Sequence, residues 1–292
     1  MTTAPLPATP ALQRTGWIGL GHIGLPMAQR VLAAGFPLQV WARRRDAAAP
    51  LVAASATWAE TPAHLAQDCS VLCTVVTGPG DVQALHDQLM PLARPGTLFI
   101  DLSTAAPDTA LASAARAAQH GLICVDAPIT GGVASAVQGA LTSFVGGTHK
   151  AVQQATPLLN AFCQRIVHCG AAGSGYRTKL VNQTLVAGVL MGLADAAQLA
   201  RASGIAPAAL QDALASGTGA SFLLPSYLPR MMSGAGAVSF TLGLLRKDLR
   251  LALDEAQQLG LQPRLLQAAW HAADAACQRH GEQAGVQMLG TA

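Results

Sequence analysis

Trp17-Ile18-Gly19-Leu20-Gly21-His22-Ile23-Gly24 opens the first patterned region of the chain. Trp17–Leu20 is a short apolar run that reads as a strand ending in glycine. Leu25–Ala34 carries apolar residues at helical spacing and stops at Gly35, a natural residue just past a helix end. The Gly-x-Gly-x-x-Gly spacing therefore falls between a strand and a helix. Gly19 permits the tight turn, Gly21 lets the backbone approach a pyrophosphate, and Gly24 allows the helix to pack closely on the strand. The helix start adds unpaired N–H groups and a positive dipole end. In that context the stretch reads as a dinucleotide-binding turn, with Gly19, Leu20, Gly21, His22, Ile23 and Gly24 facing the cofactor.

Working outward, β-type runs at Leu38–Trp41, Val71–Val76, Thr97–Asp101, Leu122–Asp126 and Leu141–Val145 alternate with Ala-rich helical stretches. Thr61-Pro62 reads as a helix N-cap followed by proline at the first helical position. The alternation predicts a parallel sheet with helices on both faces. After Gly170 the texture changes. Ser174–Ser203, Pro207–Ala215, Phe240–Leu259 and Arg264–His280 read as helices, and no strand signal appears. The expected organisation is a loose tail over residues 1–14, a Rossmann-type α/β domain over 15–172 and an all-α domain over 173–292, with a long helix joining the two.

Composition narrows the function. The 292 residues are 51% hydrophobic, and 18 basic against 15 acidic side chains leave a net charge of +3. Such a chain buries a core and is not disordered. Leu180–Ala194 is too short for a membrane span of about 20 residues, and Ala127–His149 is dense in Gly, Thr and Ser. With 4% aromatic residues and no long basic run, a nucleic-acid partner is not expected. The six cysteines form no Cys-x-x-Cys, and no Cys/His group has metal-ligand spacing. The Pro/Thr/Ala-rich start has no signal-peptide pattern. The expectation is a cytoplasmic protein with reduced cysteines, no bound metal and no membrane partner.

Three further places carry chemistry. The second strand ends in Arg43-Arg44-Arg45, with no acid to bind a ribose 2′-hydroxyl. Guanidinium groups suit a 2′-phosphate, so Arg43 and Arg44 point to NADP(H), with NAD(H) possible; a solvated loop is the plainer alternative. Thr130-Gly131-Gly132 follows a strand and can cradle a carboxylate through backbone N–H groups and a hydroxyl; alone it is also an ordinary turn. Lys179 and Asn182 share a face of an apolar helix, with Gln183 beside them. A desolvated lysine there has a lowered pKa and suits proton transfer; the alternative is a lysine snorkelling to solvent.

Taken together, GLGHIGLPMAQRVLAAG (Gly19–Gly35), DAPITGGVASAVQGAL (Asp126–Leu141), GSGYRTKLVNQ (Gly173–Gln183) and KDLRLALDEA (Lys247–Ala256) resemble the β-hydroxyacid dehydrogenases. These include 3-hydroxyisobutyrate dehydrogenases and tartronate semialdehyde reductases. The resemblance covers nearly the whole chain after the tail. It implies Lys179 as the catalytic lysine, Thr130, Gly131 and Gly132 as the substrate-carboxylate segment, and Asn182 as a substrate-orienting amide. It further implies cofactor contacts from Arg43, from Val76 in the loop Val76-Thr77-Gly78, from Thr104 of Asp101-Leu102-Ser103-Thr104, and from Lys247. The substrate implied is a small carboxylate-bearing molecule, and the assembly a homodimer or homotetramer. There are departures: Thr130 stands for the usual serine, Gln183 for an asparagine, Val76-Thr77-Gly78 for a common Leu-Pro turn, and Ala42 for an asparagine before Arg43. Imine reductases of the same fold generally lack the lysine, and a non-catalytic NADP-binding sensor would not need the Lys179/Asn182 pair.

Overall fold

The computed structural model describes residues 13–291; the expected N-terminal tail lies, but for its last two residues, outside them. Among the described residues nine strands form one sheet: β1 (Thr15–Ile18), β2 (Leu38–Trp41), β3 (Thr57–Trp58), β4 (Val71–Thr74), β5 (Leu98–Asp101), β6 (Ile123–Asp126), β7 (Ile129–Thr130), β8 (Leu141–Gly146) and β9 (Cys163–Gly170). Their order is β3-β2-β1-β4-β5-β6-β8-β7, with β9 also paired to β8. Helices α1 (Gly24–Ala33), α2 (Ala49–Ala53), α3 (Pro62–Asp68), α4 (Pro79–Leu89), α5 (Pro107–Gln119), α6 (Gly132–Gln138) and α7 (His149–Leu159) connect them. Every residue of β1, β4 and β5 is buried, because helices cover both faces of a parallel sheet. Trp17 fills one face and meets the Phe162 ring edge-on.

The strand order reverses between β1 and β4. A crevice opens there beyond the carboxyl ends of the strands, and it is the natural ligand position of an open α/β sheet. The glycine turn after β1 lies in it. At Gly19, with φ +103, a Cβ would stand 2.0 Å from the Val75 carbonyl oxygen, and at Gly24 2.2 Å from that of Gly19. Only glycine fits either place.

Three expectations need correction. The sheet is parallel from β3 to β6, but β8 runs antiparallel to both β6 and β7. From Gly131 the short helix α6 brings the chain back beside β7, instead of a long crossover that would lay β8 parallel to β6. The strand β9 was not anticipated: Gln164, Arg165 and His168 are exposed or half-buried along it, so it lacks a continuous apolar run. Thr61 does stand at the N-cap of α3 with Pro62 after it, yet its side chain accepts no capping hydrogen bond. The remaining boundaries agree to within two residues.

The second half is helical: α8 (Ser174–Ala202), α9 (Pro207–Ala215), α10 (Leu224–Ser233), α11 (Leu242–Gln258) and α12 (Arg264–His280). The helix α10 was missed because Pro225 and Pro229 break its pattern. By length and composition alone α8 is apolar enough to cross a membrane, so the sequence estimate that no run sufficed was too narrow. Here its stripe of Ala187, Leu190, Ala194 and Ala197 packs into a core with Tyr227, Leu249 and Ala273 from α10, α11 and α12. Two polar residues, Lys179 and Gln183, interrupt that buried stripe near its start.

Candidate active site

A cleft of about 1470 Å³ lies between the carboxyl end of the sheet and the helices α8, α10 and α11. The glycine turn Gly19–Gly24, Arg43, Arg44, Val76, Thr104, Thr130–Gly132, Lys179, Asn182 and Lys247 all line it. Residues read from four separated motifs thus share one cavity.

The first residues of α8 are fixed by two carboxylates at strand ends. Asp126, at the end of β6, accepts the backbone N–H groups of Gly173 and Tyr176, each at 2.9 Å. Asp101, at the end of β5, accepts the Tyr176 hydroxyl at 2.7 Å, the Ser103 N–H at 2.8 Å and the Thr74 hydroxyl. Burial raises the Asp126 carboxyl to about 6, against the pull of those backbone N–H groups. Hydrogen bonds to a charged acceptor contribute about 1.5–3 kcal/mol each, so Tyr176 ties α8 firmly to the sheet. Lys179 follows one helical turn later and is set over the strand ends as a consequence.

Lys179 is 7% exposed. Its Nζ donates to Gln183 Oε1 at 2.9 Å, and Gln183 Nε2 donates to Asp248 Oδ2 at 2.7 Å. Burial is the main cause that lowers the lysine to about 8; Asp248 opposes the shift and Lys247 adds to it. Asn182 Nδ2 reaches Thr130 Oγ1 at 3.4 Å and Gln183 Oε1 at 3.1 Å. The hydroxyl of the glycine turn and the amide of α8 therefore face each other beside the lysine. Lys247, on α11, donates from Nζ to the Thr104 carbonyl oxygen at 2.9 Å and lies 2.7 Å from Asp248 Oδ1. It links the helical half to the loop after β5.

Gln183 and Asp248 join the lysine in a way the sequence only half disclosed. Gln183 was noted as a neighbour on the helix face, whereas Asp248 stood unremarked beside Lys247. The signal available was a buried-face carboxylate directly after a lysine in an otherwise amphipathic helix. Asp126 and Tyr176 carried no signal, since their partners come from chain segments tens of residues away.

The glycine turn fits a dinucleotide. A Cβ on Gly21 would meet nothing within 4 Å, so that backbone faces open cleft while its neighbours Gly19 and Gly24 are packed. Arg43 and Arg44 lie at the cleft beyond β2; Arg44 has only a 3.9 Å contact with Asp46. Arg45 is drawn away, over the Trp58 ring and 3.8 Å from Glu60. Among the described residues Arg43 has no ion-pair partner, and Arg44 has a single long contact, so both can turn toward an anionic group in the cleft.

Residues 14–170 match the family model of the NAD binding domain of 6-phosphogluconate dehydrogenase, and residues 173–290 that of the NAD-binding domain of NADP-dependent 3-hydroxyisobutyrate dehydrogenase. The NAD-dependent L-serine dehydrogenase of Pseudomonas aeruginosa is 35% identical over 84% of this chain and 86% of its own. The 3-hydroxyisobutyrate dehydrogenase of the same organism is 33% identical over 82% and 84%. Among solved structures, Psf3 in complex with NADP+ and 2-OPP superposes with a TM-score of 0.90 at 29% identity, covering 95% of this chain and 99% of that one. The fold and cleft define a nicotinamide-dependent oxidoreductase. The chain belongs to the NAD(P)-dependent β-hydroxyacid dehydrogenase family, in which 3-hydroxyisobutyrate dehydrogenases stand.

Proposed function

We propose that the chain catalyses reversible hydride transfer between NADP(H) and a small β-hydroxy acid or its semialdehyde, of the 3-hydroxyisobutyrate, tartronate semialdehyde, glyoxylate or succinic semialdehyde type. The observation that carries the reading is the buried Lys179, set in the same cleft as the glycine turn and beside the Thr130–Asn182 pair. Bound nicotinamide supplies or takes up the hydride. The chain's own residues do the rest. Gly131 and Gly132 offer backbone N–H groups and Thr130 a hydroxyl to the substrate carboxylate. Asn182 orients the reacting oxygen. In reduction Lys179, as ammonium, donates a proton to the developing alkoxide; in oxidation its neutral amine accepts that proton. A lysine near 8 is close enough to working pH to do both.

Arg43 and Arg44 favour NADP(H), through contacts to the 2′-phosphate. The NADP+ complex of Psf3 supports this choice, and the name of the L-serine dehydrogenase keeps NAD(H) as the competitor. A catalytically idle sensor or an imine reductase needs no such lysine, and its burial argues against both. Cytoplasmic residence and a homodimeric or homotetrameric assembly complete the proposal; the six free thiols agree with a reducing compartment. The test is a panel of β-hydroxy acids and semialdehydes with both cofactors. Turnover of at least one, faster in kcat/KM with NADPH than NADH, is expected. No turnover on the whole panel despite NADPH binding would overturn the reading.

A further inference from the structure

Two chain segments build the reacting centre, and both start from Asp126. On the sheet side the chain runs from Asp126 to the carboxylate segment at Thr130. That path has no slack. The Ala127 N–H donates to the Asp101 carbonyl oxygen at 2.7 Å, the Ser143 hydroxyl donates to the Ala127 carbonyl oxygen at 3.0 Å, and the Phe144 N–H donates to the Pro128 carbonyl oxygen at 3.0 Å. On the other side lies α8, gripped by the Asp126 side chain through the N–H groups of Gly173 and Tyr176. Lys179 and Asn182 follow on that helix. The two paths meet again where Asn182 Nδ2 reaches Thr130 Oγ1 at 3.4 Å. They form a ring, closed by Asp126 at one end and by the substrate-facing pair at the other.

The grip leaves no room to shift. Asp126 is 3% exposed. A Cβ on Gly146 would stand 2.5 Å from Asp126 Oδ1, and one on Gly175 2.5 Å from the Asp126 carbonyl oxygen. The residue is wedged between the backbones of β8 and α8. No described cation pairs with its carboxylate. The charge is met by N–H groups at the positive end of a 29-residue helix. Tyr176 also ties α8 to the sheet, but through the tip of a long side chain. Asp126 holds the helix backbone itself at two points. It thereby sets the direction of the helix axis, and with it the place of Lys179 relative to Thr130–Gly132.

We propose that Asp126 is a positioning residue of the proton transfer, whose ionised carboxylate keeps Lys179 and Asn182 in register with the Thr130–Gly132 segment. The proposal rests on the hydride-transfer reading above. Protonation gives the carboxyl a hydrogen of its own, and the N–H groups of Gly173 and Tyr176 lose their charged acceptor. The start of α8 then sits more loosely, and a displacement of about 1 Å at a reacting centre costs about 10²-fold. Burial lifts this carboxyl to about 6, which puts the loosening within reach of an ordinary pH series. The titratable groups around it are otherwise engaged. Burial pushes Cys124 of β6 and Tyr176 of α8 well up, so both stay neutral. Asp101 of β5 faces the donors of Tyr176, Ser103 and Thr74. His168 of β9 is turned to the carbonyl oxygens of Gly147 and Gly170.

The test follows semialdehyde reduction by stopped flow at saturating NADPH, between about pH 5 and 9. Wild-type kcat is expected to trace a bell, falling below about 6 through Asp126 and above about 8 through Lys179. Asp126→Asn removes the acid limb, lowers kcat at pH 7 by about tenfold or more and raises KM for the semialdehyde. KM for NADPH and the limb near 8 stay where they are. Unfolding through this group does not mimic the acid limb. The folded carboxyl holds its proton more tightly than the unfolded one, so it adds stability as pH falls from about 6 to about 4. Should Asp126→Asn not fold, the wild type decides. An acid limb in kcat where near-ultraviolet circular dichroism still shows native protein supports the proposal, and a level kcat from pH 7 to 5 overturns it. Wild-type kcat in Asp126→Asn, or an acid limb that survives there, also overturns it. So do equal increases in KM for NADPH and semialdehyde, the mark of a merely structural carboxylate. Each of those results, with turnover intact, leaves the hydride-transfer reading standing. Absence of wild-type turnover on every semialdehyde of the panel ends both.

Discussion

Replacing Lys179 by methionine keeps a long side chain in a buried place and removes the titrating amine. A positioned general acid contributes about 10²–10⁴-fold, which is about 3–5 kcal/mol of barrier. The kcat for semialdehyde reduction should fall by that factor, with NADPH affinity, read by fluorescence titration, nearly unchanged. The pH profile gives a second signature. With the lysine lowered to about 8, wild-type reduction declines as pH rises through 8, because the ammonium is lost, and oxidation rises over the same range. The variant loses both inflections. Stability moves the other way. A shift from 10.5 to about 8, at about 1.36 kcal/mol per unit, corresponds to a burial penalty of about 3 kcal/mol at neutral pH. Between about pH 8 and 10.5 the unfolded chain binds more protons than the native one, so wild-type stability rises with pH across that window. The methionine variant should be more stable at pH 7 and lack that slope. Stopped-flow NADPH oxidation and denaturant titrations at several pH values read all of this. Turnover within tenfold of wild type, or an inflection near pH 8 that survives in the variant, would refute the assignment.

The other parts of the site give separate predictions. Arg43→Ala combined with Arg44→Ala should raise KM for NADPH by about tenfold or more and leave KM for NADH within about twofold; equal losses for both cofactors would place the arginines elsewhere. Thr130→Val removes the hydroxyl that Asn182 meets and should raise KM for the acid substrate more than it lowers kcat; an unchanged KM would take Thr130 out of the carboxylate site. Tyr176→Phe deletes the bond to the buried Asp101 and should lower unfolding free energy by about 1.5–3 kcal/mol, measured by urea titration. A loss below about 0.5 kcal/mol, the range of ordinary surface changes, would show that this contact does not tie α8 to the sheet.

Local signals carried the glycine turn well. The strand Leu38–Trp41 and the helix Arg264–His280 have the predicted bounds, because period and terminators coincide there. Gly35 lies just past the end of α1 with φ +89, as its place in the sequence implies. Long-range partnerships were a different matter. The antiparallel course of β8 depends on how Gly131, α6 and Gly139 bring the chain back, and β9 is held by pairing rather than by an apolar pattern of its own. Lys179 and Asn182 were legible as a face of one helix. The depth of burial of that face was not, because it depends on α11 bringing Asp248 against Gln183. Arg230 stands in none of the motifs, and the packing of α10 on α8 puts it in the cleft.

The central claim is that the chain moves hydride directly between the nicotinamide and the carbonyl carbon of a carboxylate-bearing substrate. Incubating the enzyme with NADPH deuterated at C4 on both faces and a semialdehyde from the panel, then analysing the hydroxy acid by mass spectrometry and NMR, tests it most directly. The account predicts one deuterium on the new carbinol carbon and none from solvent. Product without deuterium at that carbon, or NADPH consumption with no hydroxy acid formed, would contradict it.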